Sequence, residues 1–398
     1  MRNYLIIGNG VAGTTAAENI RKQDKEGNIT VVTEEDLSFY YRVRLNEYIS
    51  GDITEEQLIA KKERWYKDQN ITLKLKTRIV GAEPNEKVVI TEDNQRLSYD
   101  RLLIATGSHS FIPPIKGSEK KGVFALRDIQ DARDISAYAK NVDDIILIGG
   151  GLLGLEAGNA LRKLGKKVMV VEFFPRLLPR QLDLDGAQRL QKIMEGMGFF
   201  FRLGARTQEI AGDDRASGAL LEGGEALTAG MVIISAGVRP NLELAKTLGL
   251  NIDKGIIVDE HLRTNQPDIY AAGDVAEFRG MPYGIWPAAM EQGKIGGINM
   301  AGGDVTYDGT TMANTLKVVG VDLASAGNID AENEFESTVV TGEKVYKKIV
   351  IENNRIIGCI MLGDTKGFDQ ITRIISEKRN VSQVKDQILS EGFDFKGM

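Results

Sequence analysis

Apolar residues in this chain fall in short, branched runs, each closed by glycine or a small residue and followed by a segment with helical spacing. Tyr4-Leu5-Ile6-Ile7 reads as a strand, residues 12 to 23 as a helix, and Ile29-Thr30-Val31-Val32-Thr33 as the next strand. That order predicts a βαβ unit, because parallel neighbours need a crossover long enough to hold a helix. Leu102-Leu103-Ile104-Ala105 adds a further strand. The order then recurs, with strand Ile145-Ile146-Leu147-Ile148, a helix near 152 to 163, and strand Lys167-Val168-Met169-Val170-Val171. Met231 to Ser235 and Asp268 to Ala272 are two more strands. From about Asn314 the pattern turns to alternation: 344–350 and 355–361 read as antiparallel strands, with helices near 366–377 and 381–390.

Both βαβ units carry the same punctuation. Gly8-Asn9-Gly10-Val11-Ala12-Gly13 closes the first strand and opens the first helix. In that context GxGxxG has a mechanism. Gly8 permits a tight turn, Gly10 lets a pyrophosphate approach the helix amides that begin at Val11 and Ala12, and Gly13 lets the helix lie close to the sheet. Glu34, just past the second strand, is placed to accept hydrogen bonds from an unphosphorylated adenosine ribose. Gly149-Gly150-Gly151-Leu152-Leu153-Gly154 repeats the grammar, and Glu172 closes the strand that follows. Gly149, Gly151, Leu152, Leu153 and Gly154 take the corresponding roles. A carboxylate accepts from a free 2'-hydroxyl and repels a 2'-phosphate, so Glu172 predicts NADH in preference to NADPH. Arg176 is a candidate phosphate partner or a solvated loop arginine. One such cluster is weak evidence; two in register predict two dinucleotide sites. The fold class is therefore α/β, with two Rossmann-like dinucleotide-binding domains and a small C-terminal α+β domain.

Composition narrows the chemistry. The 398 residues carry 50 basic and 56 acidic side chains, a formal charge of -6, so no overall field draws the surface toward nucleic acid or an anionic membrane. No apolar run approaches the roughly 18 residues of a membrane span, and Gly8-Asn9-Gly10 interrupts the N-terminal stretch before it can act as a leader. A soluble, cytoplasmic protein is expected. The single cysteine, Cys359, excludes a disulfide framework or a CxxC pair within the chain, so two-electron chemistry calls for a bound cofactor. His109 and His261 are too few for a His triad or metal cluster, and both read chiefly as structural. Asp274, after Ala271-Ala272-Gly273, can aim its carboxylate at ribitol hydroxyls or cap the following segment.

Together these motifs resemble the FAD-dependent pyridine nucleotide reductases of the two-dinucleotide-fold group. The likeness is carried by Gly8 to Gly13 with Glu34, Ala105-Thr106-Gly107-Ser108, and Gly149 to Gly154 with Glu156. Ala236-Gly237-Val238-Arg239-Pro240-Asn241 and Tyr270-Ala271-Ala272-Gly273-Asp274-Val275 complete it. Within the group the chain is most similar to NADH:rubredoxin reductases and to the flavin-containing front part of assimilatory nitrite reductases. The resemblance implies FAD-binding sequence at 1–114 and 241–313, an NAD-binding domain at 115–240 between them, and a C-terminal domain at 314–398. It places Arg42 near the FAD pyrophosphate, and Ala105, Thr106, Gly107, Ala236, Gly237, Gly273 and Asp274 around the cofactors. Trp286 falls near the flavin ring or in the core. Glu156 is implied to be catalytic, near the nicotinamide and flavin.

Asn46-Glu47 departs from the serine-lysine of oxygenase-linked ferredoxin reductases. The region around Arg42 lacks the cysteine that other relatives hold near the flavin, and Cys359 in its apolar strand reads as core. The implied reaction is hydride transfer from NADH to FAD, then single-electron delivery to rubredoxin or another small iron protein. Two alternatives stay open: an NADH oxidase-like flavoprotein using oxygen or quinone, and the separate FAD/NADH module of a nitrite-reductase-like system. Lys317 is a candidate for facing an acidic acceptor or a solubilising charge.

Overall fold

Short runs of Ile, Val and Leu that bury both faces suit parallel sheets covered by helices. Two such sheets form in the computed structural model, which describes residues 1–390 and 392–394 and gives the 313–318 strand as backbone alone. The chain begins with β1 (Asn3–Ile7), α1 (Val11–Gln23), β2 (Asn28–Val32), α2 (Leu45–Ile49), β3 (Ile71–Lys74) and β4 (Arg101–Ile104). It continues through β5 (Val123–Phe124), α3 (Ile129–Ala139), β6 (Asp144–Ile148), α4 (Leu152–Lys163), β7 (Lys167–Glu172), α5 (Leu184–Gly196), β8 (Phe199–Leu203) and β9 (Met231–Ile234). After β10 (Ile269–Ala271) and α6 (Trp286–Met300), it ends in β11 (Ala313–Val318), β12 (Val321–Gly327), β13 (Glu336–Thr341), β14 (Tyr346–Glu352), β15 (Arg355–Leu362) and α7 (Phe368–Ser376). Two compact units result. Met1–Arg44, Ile53–His109 and Val238–Thr310 make one; Leu45–Asp52, Ser110–Gly237 and the chain from Thr311 make the other.

The first unit holds a parallel sheet in the order β10-β4-β1-β2-β3. Its outer strand β10 comes from beyond the whole second sheet, so one α/β fold is inserted into the other. β1 lies at the centre, with Tyr4, Leu5, Ile6 and Ile7 all buried. Small residues bring α6 close against α1. A Cβ on Gly293 would stand 2.4 Å from the Ala12 carbonyl oxygen, and one on Gly297 would stand 2.6 Å from that of Ala16. This close crossing fixes the N-terminal end of α1, where the first glycine loop delivers the chain.

The second unit holds a parallel sheet in the order β8-β7-β6-β9-β5 and an antiparallel sheet in the order β11-β12-β15-β14-β13. Ala324, Ile349, Cys359, Met361, Phe368 and Ile371 form the core under α7. A buried polar cluster joins α5 to β14. Asp183, the N-cap of α5, accepts from Gly186 N at 3.0 Å, the Tyr346 hydroxyl at 2.6 Å and Lys348 Nζ at 3.2 Å. Lys348 also donates to the Asp330 carbonyl and Asn333 Oδ1, each at 2.9 Å.

The expected strands and most expected helices are present, but 381–390 is not a helix. It is a run of turns. Val384 N and Gln387 N each bond three residues back while Ile388 N bonds four back, so no continuous ladder forms. What holds the segment is burial of Val381, Ile388 and Leu389 against the C-terminal core. Among the described residues, no helix is long and apolar enough to cross a membrane.

Candidate functional site

Register explains why widely spaced motifs converge. In the first unit Ile7 pairs with Val32 and Ile104, and Ile104 pairs with Ala271. The loops that begin at Gly8, Ala105 and Ala272 therefore leave the sheet at one level, at the carboxyl ends of parallel strands, where open α/β sheets bind ligands. In the second unit Ile148 pairs with Val171 and Ile234. That brings Gly149, Glu172 and the Ser235-Ala236-Gly237 turn to one edge.

The glycines in these loops divide by what surrounds them. Gly8 and Gly149 have φ of +113° and +110°, a region other residues adopt at a cost, and a Cβ there would meet the Ala105 and Ser235 carbonyl oxygens at 2.0 and 2.2 Å. On Gly13 it would meet the Gly8 oxygen at 1.9 Å, and on Gly154 the Ser235 side chain at 2.9 Å. The fold itself requires these four. Gly10 and Gly151 are different: a Cβ at either meets nothing within 4 Å, and their φ of -84° and -81° suits any residue. Each is the N-cap of a helix. Ahead of the first helical bonds, Thr14 N to Gly10 O and Leu155 N to Gly151 O, stand the amides of Val11, Ala12, Leu152 and Leu153. A Cβ at either would enter open space at the helix N-terminus. Asn9 adds a second sign, since its buried Nδ2 has no protein partner while its Oδ1 accepts from the Tyr66 hydroxyl at 2.8 Å. These loops fit a dinucleotide pyrophosphate.

The two acids behave differently. Glu172 is buried, with Oε2 accepting from Gly150 N and Oε1 accepting from Phe174 N at 2.7 Å. Its carboxylate thus lies against the glycine loop. Arg176 is turned toward Glu332, 3.8 Å away. Glu34 is exposed and lies 3.6 Å from Arg78, without a bond to its glycine loop. The register accounts for the contrast: Val32 corresponds to Val171, which sets Thr33, not Glu34, at the position of Glu172. The neighbouring Glu35 is more enclosed and engages the Tyr40 hydroxyl and the Arg42 guanidinium, which also lies over the Tyr40 ring at 5.5 Å. Nothing in the alternation of that loop distinguished Glu35 from Glu34.

Around the first loop, Asp274 Oδ2 accepts from Ser108 Oγ at 2.8 Å, and the amide of Gly273 donates to the fully buried Gln292 at 2.8 Å. Asn241 is the hub of the Thr106-Gly107 turn. Its Nδ2 donates to the Thr106 carbonyl at 2.7 Å, and its Oδ1 lies 2.7 Å from His109 Nδ1. Gly237, at φ +96°, accepts from Phe111 N through its carbonyl, and Ala236 precedes it in the turn after β9. Trp286 opens α6 and stacks on Tyr41 at 5.7 Å, with Phe39 at 6.0 Å. It belongs to a half-exposed aromatic cluster, not to the apolar core.

In the second unit, Glu156 sits one turn into α4, mostly buried. Asn46 Nδ2 on α2 lies 3.5 Å from its Oε2. Loss of hydration, together with the charge of Glu47, pushes the Glu156 carboxyl up to about 7. Cys359 is fully buried in β15, and burial pushes its thiol up to about 12, so it packs as an apolar side chain. His261 lies 3.3 Å from Asp304. The Lys317 side chain lies outside the described residues. Among the described residues no cluster of His, Cys, Asp or Glu is placed to hold a metal ion.

Two Rossmann-like folds, each with an open glycine at a helix N-terminus, define a two-dinucleotide-fold protein. The sequence pattern of the pyridine nucleotide-disulphide oxidoreductases matches residues 2–293, and that of the rubredoxin NAD+ reductase C-terminal domain matches residues 313–379. The chain belongs to the pyridine nucleotide-disulphide oxidoreductase family and carries the paired Rossmann-like domains of that family. It is 36% identical to a Bacillus subtilis nitrite reductase [NAD(P)H] over 96% of this chain and 48% of that protein. It is 30% identical to a Clostridium acetobutylicum NADH-rubredoxin oxidoreductase, over 97% of this chain and 98% of that one. A solved NAD-dependent persulfide reductase from A. fulgidus superposes with a TM-score of 0.90 at 28% identity, covering 96% of this chain and 78% of that one. The chain spans about half the length of several curated relatives it matches, the nitrite reductases among them.

Proposed function

We propose that this chain is an NADH-dependent flavoprotein reductase that passes electrons to rubredoxin or a similar small iron protein. On this reading 1–114 with 241–313 bind FAD, 115–240 bind NADH, and 314–398 form the accompanying C-terminal domain. The observation that carries it is the recurrence of an open glycine, Gly10 and Gly151, at the same step of two βαβ units. Within the described fold, glycine there gains only the modest N-cap advantage over alanine, whereas a pyrophosphate against the helix amides gives a further reason for a residue without a side chain.

FAD, when bound, supplies the conversion of a hydride's electron pair into single electrons. The chain's residues bind and orient. Gly8, Gly10, Val11, Ala12 and Gly13 present the first set of amides, and Gly149, Gly151, Leu152, Leu153 and Gly154 the second. Asp274, held by Ser108, directs a carboxylate toward sugar hydroxyls, with Gly273 and the Ala105-Thr106-Gly107 turn beside it. Glu34 or the better-placed Glu35 serves the first adenosine ribose, and Arg42, already paired with Glu35, stands by the phosphates. Trp286 borders the first site and the Ala236-Gly237 turn the second. Glu172 sets the nucleotide preference, because a buried carboxylate accepts from ribose hydroxyls and repels a 2'-phosphate, while Arg176 is engaged by Glu332. Glu156 acts near the nicotinamide.

The nearly full-length match to the Clostridium acetobutylicum protein supports rubredoxin as acceptor. The Bacillus subtilis match favours a second reading, the electron-input module of a nitrite-reductase-like system. Anaerobic NADH-driven reduction of rubredoxins, ferredoxins, quinones, a nitrite-reducing partner and oxygen separates the readings. Rubredoxin turnover above all others is expected; efficient turnover of another acceptor, with cognate rubredoxin inert, overturns the acceptor assignment.

A further inference from the structure

Among the described residues no cation pairs with Glu156, where a mostly buried carboxylate needs one. Its nearest polar partner is a neutral amide, Asn46 Nδ2 at 3.5 Å from Oε2. The Asn46 Oδ1 on the same amide is buried and has no hydrogen-bond partner among the described residues. The charged groups around the pair do not change this. Glu47, the neighbour of Asn46 on α2, is another anion, and Lys163 at the far end of α4 is committed to Asp52 at 2.7 Å. On α3, which packs against α2, Asp131 accepts from the amides of Arg127 and Asp128 at its own helix N-terminus. On the sheet behind α4, Asp144 and Lys167 lie at the exposed ends of β6 and β7, and Glu172 is held by the amides of Gly150 and Phe174. β11 also passes α4, and its one ionisable residue, Lys317, has a side chain outside the described residues.

An ionised Glu156 uses only the amide's donor and leaves its oxygen orphaned. A protonated Glu156 carries the O–H donor that this oxygen lacks. We propose that Glu156 and Asn46 form a carboxylic acid–amide pair, in which Asn46 Nδ2 donates to one carboxyl oxygen and the Glu156 hydroxyl donates to Asn46 Oδ1. Asn46 is then a positioning residue that keeps a proton on Glu156, and a lysine in its place would ionise the carboxyl instead. Burial acts in the same direction, raising the carboxyl to about 7. One consequence rests on the proposed role of Glu156 near the nicotinamide. As pH rises through neutrality, the pair loses its proton and a negative charge appears beside the loop, which favours the cationic oxidised nicotinamide over the neutral reduced one.

Infrared spectroscopy of the full-length protein tests the pair directly. A protonated-carboxyl stretch absent from Glu156→Gln should be present at pH 6 and disappear through neutrality. In Asn46→Leu the band should move to the position of an acid without a hydrogen bond, and Asn46→Gln should restore it. In Asn46→Lys the carboxyl, followed by glutamate-labelled NMR, should titrate at least one pH unit lower. A Glu156 ionised throughout this range, or a band unmoved by Asn46→Leu, overturns the pair. The ratio of NADH to NAD+ dissociation constants should rise roughly threefold between pH 6 and 8 in the wild type and stay flat in Glu156→Gln. A flat wild-type ratio with the band intact overturns the nicotinamide assignment and not the pair, so the two failures are distinguishable.

Discussion

Replacing Gly10 with alanine tests whether that glycine serves the fold or a ligand. The added methyl enters open space at an ordinary φ, so the protein loses only the modest N-cap advantage of glycine over alanine, partly offset by reduced freedom of the unfolded chain. The net change in stability is within about 1 kcal/mol, or about 3 °C in melting temperature for a unit of this size. Binding should respond far more. On the proposed function the methyl enters space that the pyrophosphate takes beside the Val11 and Ala12 amides, and losing one or two charge-assisted hydrogen bonds, at about 1.5 to 3 kcal/mol each, weakens the cofactor on the order of 100-fold. Gly13→Ala is the contrasting case. Its Cβ falls 1.9 Å from the Gly8 oxygen, where ordinary contact begins at 3.4 Å, so helix and strand must separate and stability falls by about 2 to 3 kcal/mol. Gly151→Ala and Gly154→Ala repeat the contrast for the second loop. Calorimetric titration of the FAD-free protein with FAD, titration of the holoprotein with NAD+, and thermal melts of all four variants give the readouts. Wild-type FAD affinity in Gly10→Ala would refute the placement of a pyrophosphate against that helix, whatever the other variants do.

Glu172→Gln, whose single amide oxygen keeps only one of the two loop hydrogen bonds, should cut the preference for NADH over NADPH about tenfold in kcat/KM; an unchanged ratio with wild-type NADH kinetics would remove Glu172 from cofactor selection. Lys348→Met strands two buried carboxylates, Asp183 and Asp330, and should cost about 3 to 5 kcal/mol in urea unfolding, with Asp183→Asn in the same chain recovering part of the loss. Cys359→Ala should leave NADH-driven electron delivery intact, because a thiol raised to about 12 in a packed strand is inert; loss of turnover in a stably folded variant would contradict that. Glu156→Gln should alter the pH dependence of stability. The folded carboxyl holds its proton up to about 7 while the unfolded one releases it near 4.5, so wild-type stability is fully present at low pH and declines between these values. With partial exposure allowed for, the variant should gain about 2 kcal/mol on the wild type between pH 4.5 and 8, and parallel melting curves would argue against burial as the cause.

The βαβ repeat was legible because it rests on periodicity and glycine spacing, both local properties of the sequence. A second occurrence at a matching step made the pattern specific. What local pattern could not supply was direction. Glu34 and Glu35 are adjacent acids past a strand, and only the contacts of the folded loop show that Glu34 points outward to Arg78 while Glu35 turns in to Arg42. The 381–390 segment misled for a similar reason. Its apolar spacing is helical, yet three buried side chains are satisfied by a chain of turns, and burial outweighs a propensity worth only tenths of a kcal/mol per residue.

Groups that work through long-range contacts were the least visible. Lys348 lies in an alternating strand where a lysine reads as a solvent-facing position, and its carboxylate partner Asp183 is 165 residues away in sequence. Asn46 is comparable. The sequence shows it only as a departure from serine-lysine, whereas the fold brings it to Glu156 across 110 residues and leaves half of its amide unsatisfied. That unsatisfied oxygen is informative because folded proteins rarely leave a buried acceptor orphaned, so its presence constrains the chemical state of whatever stands beside it. A carboxyl is the neighbour. On the proposed function, the glycine loops are where dinucleotides bind, and on the proposed pair one unpaired amide oxygen sets the charge of the nearby acid.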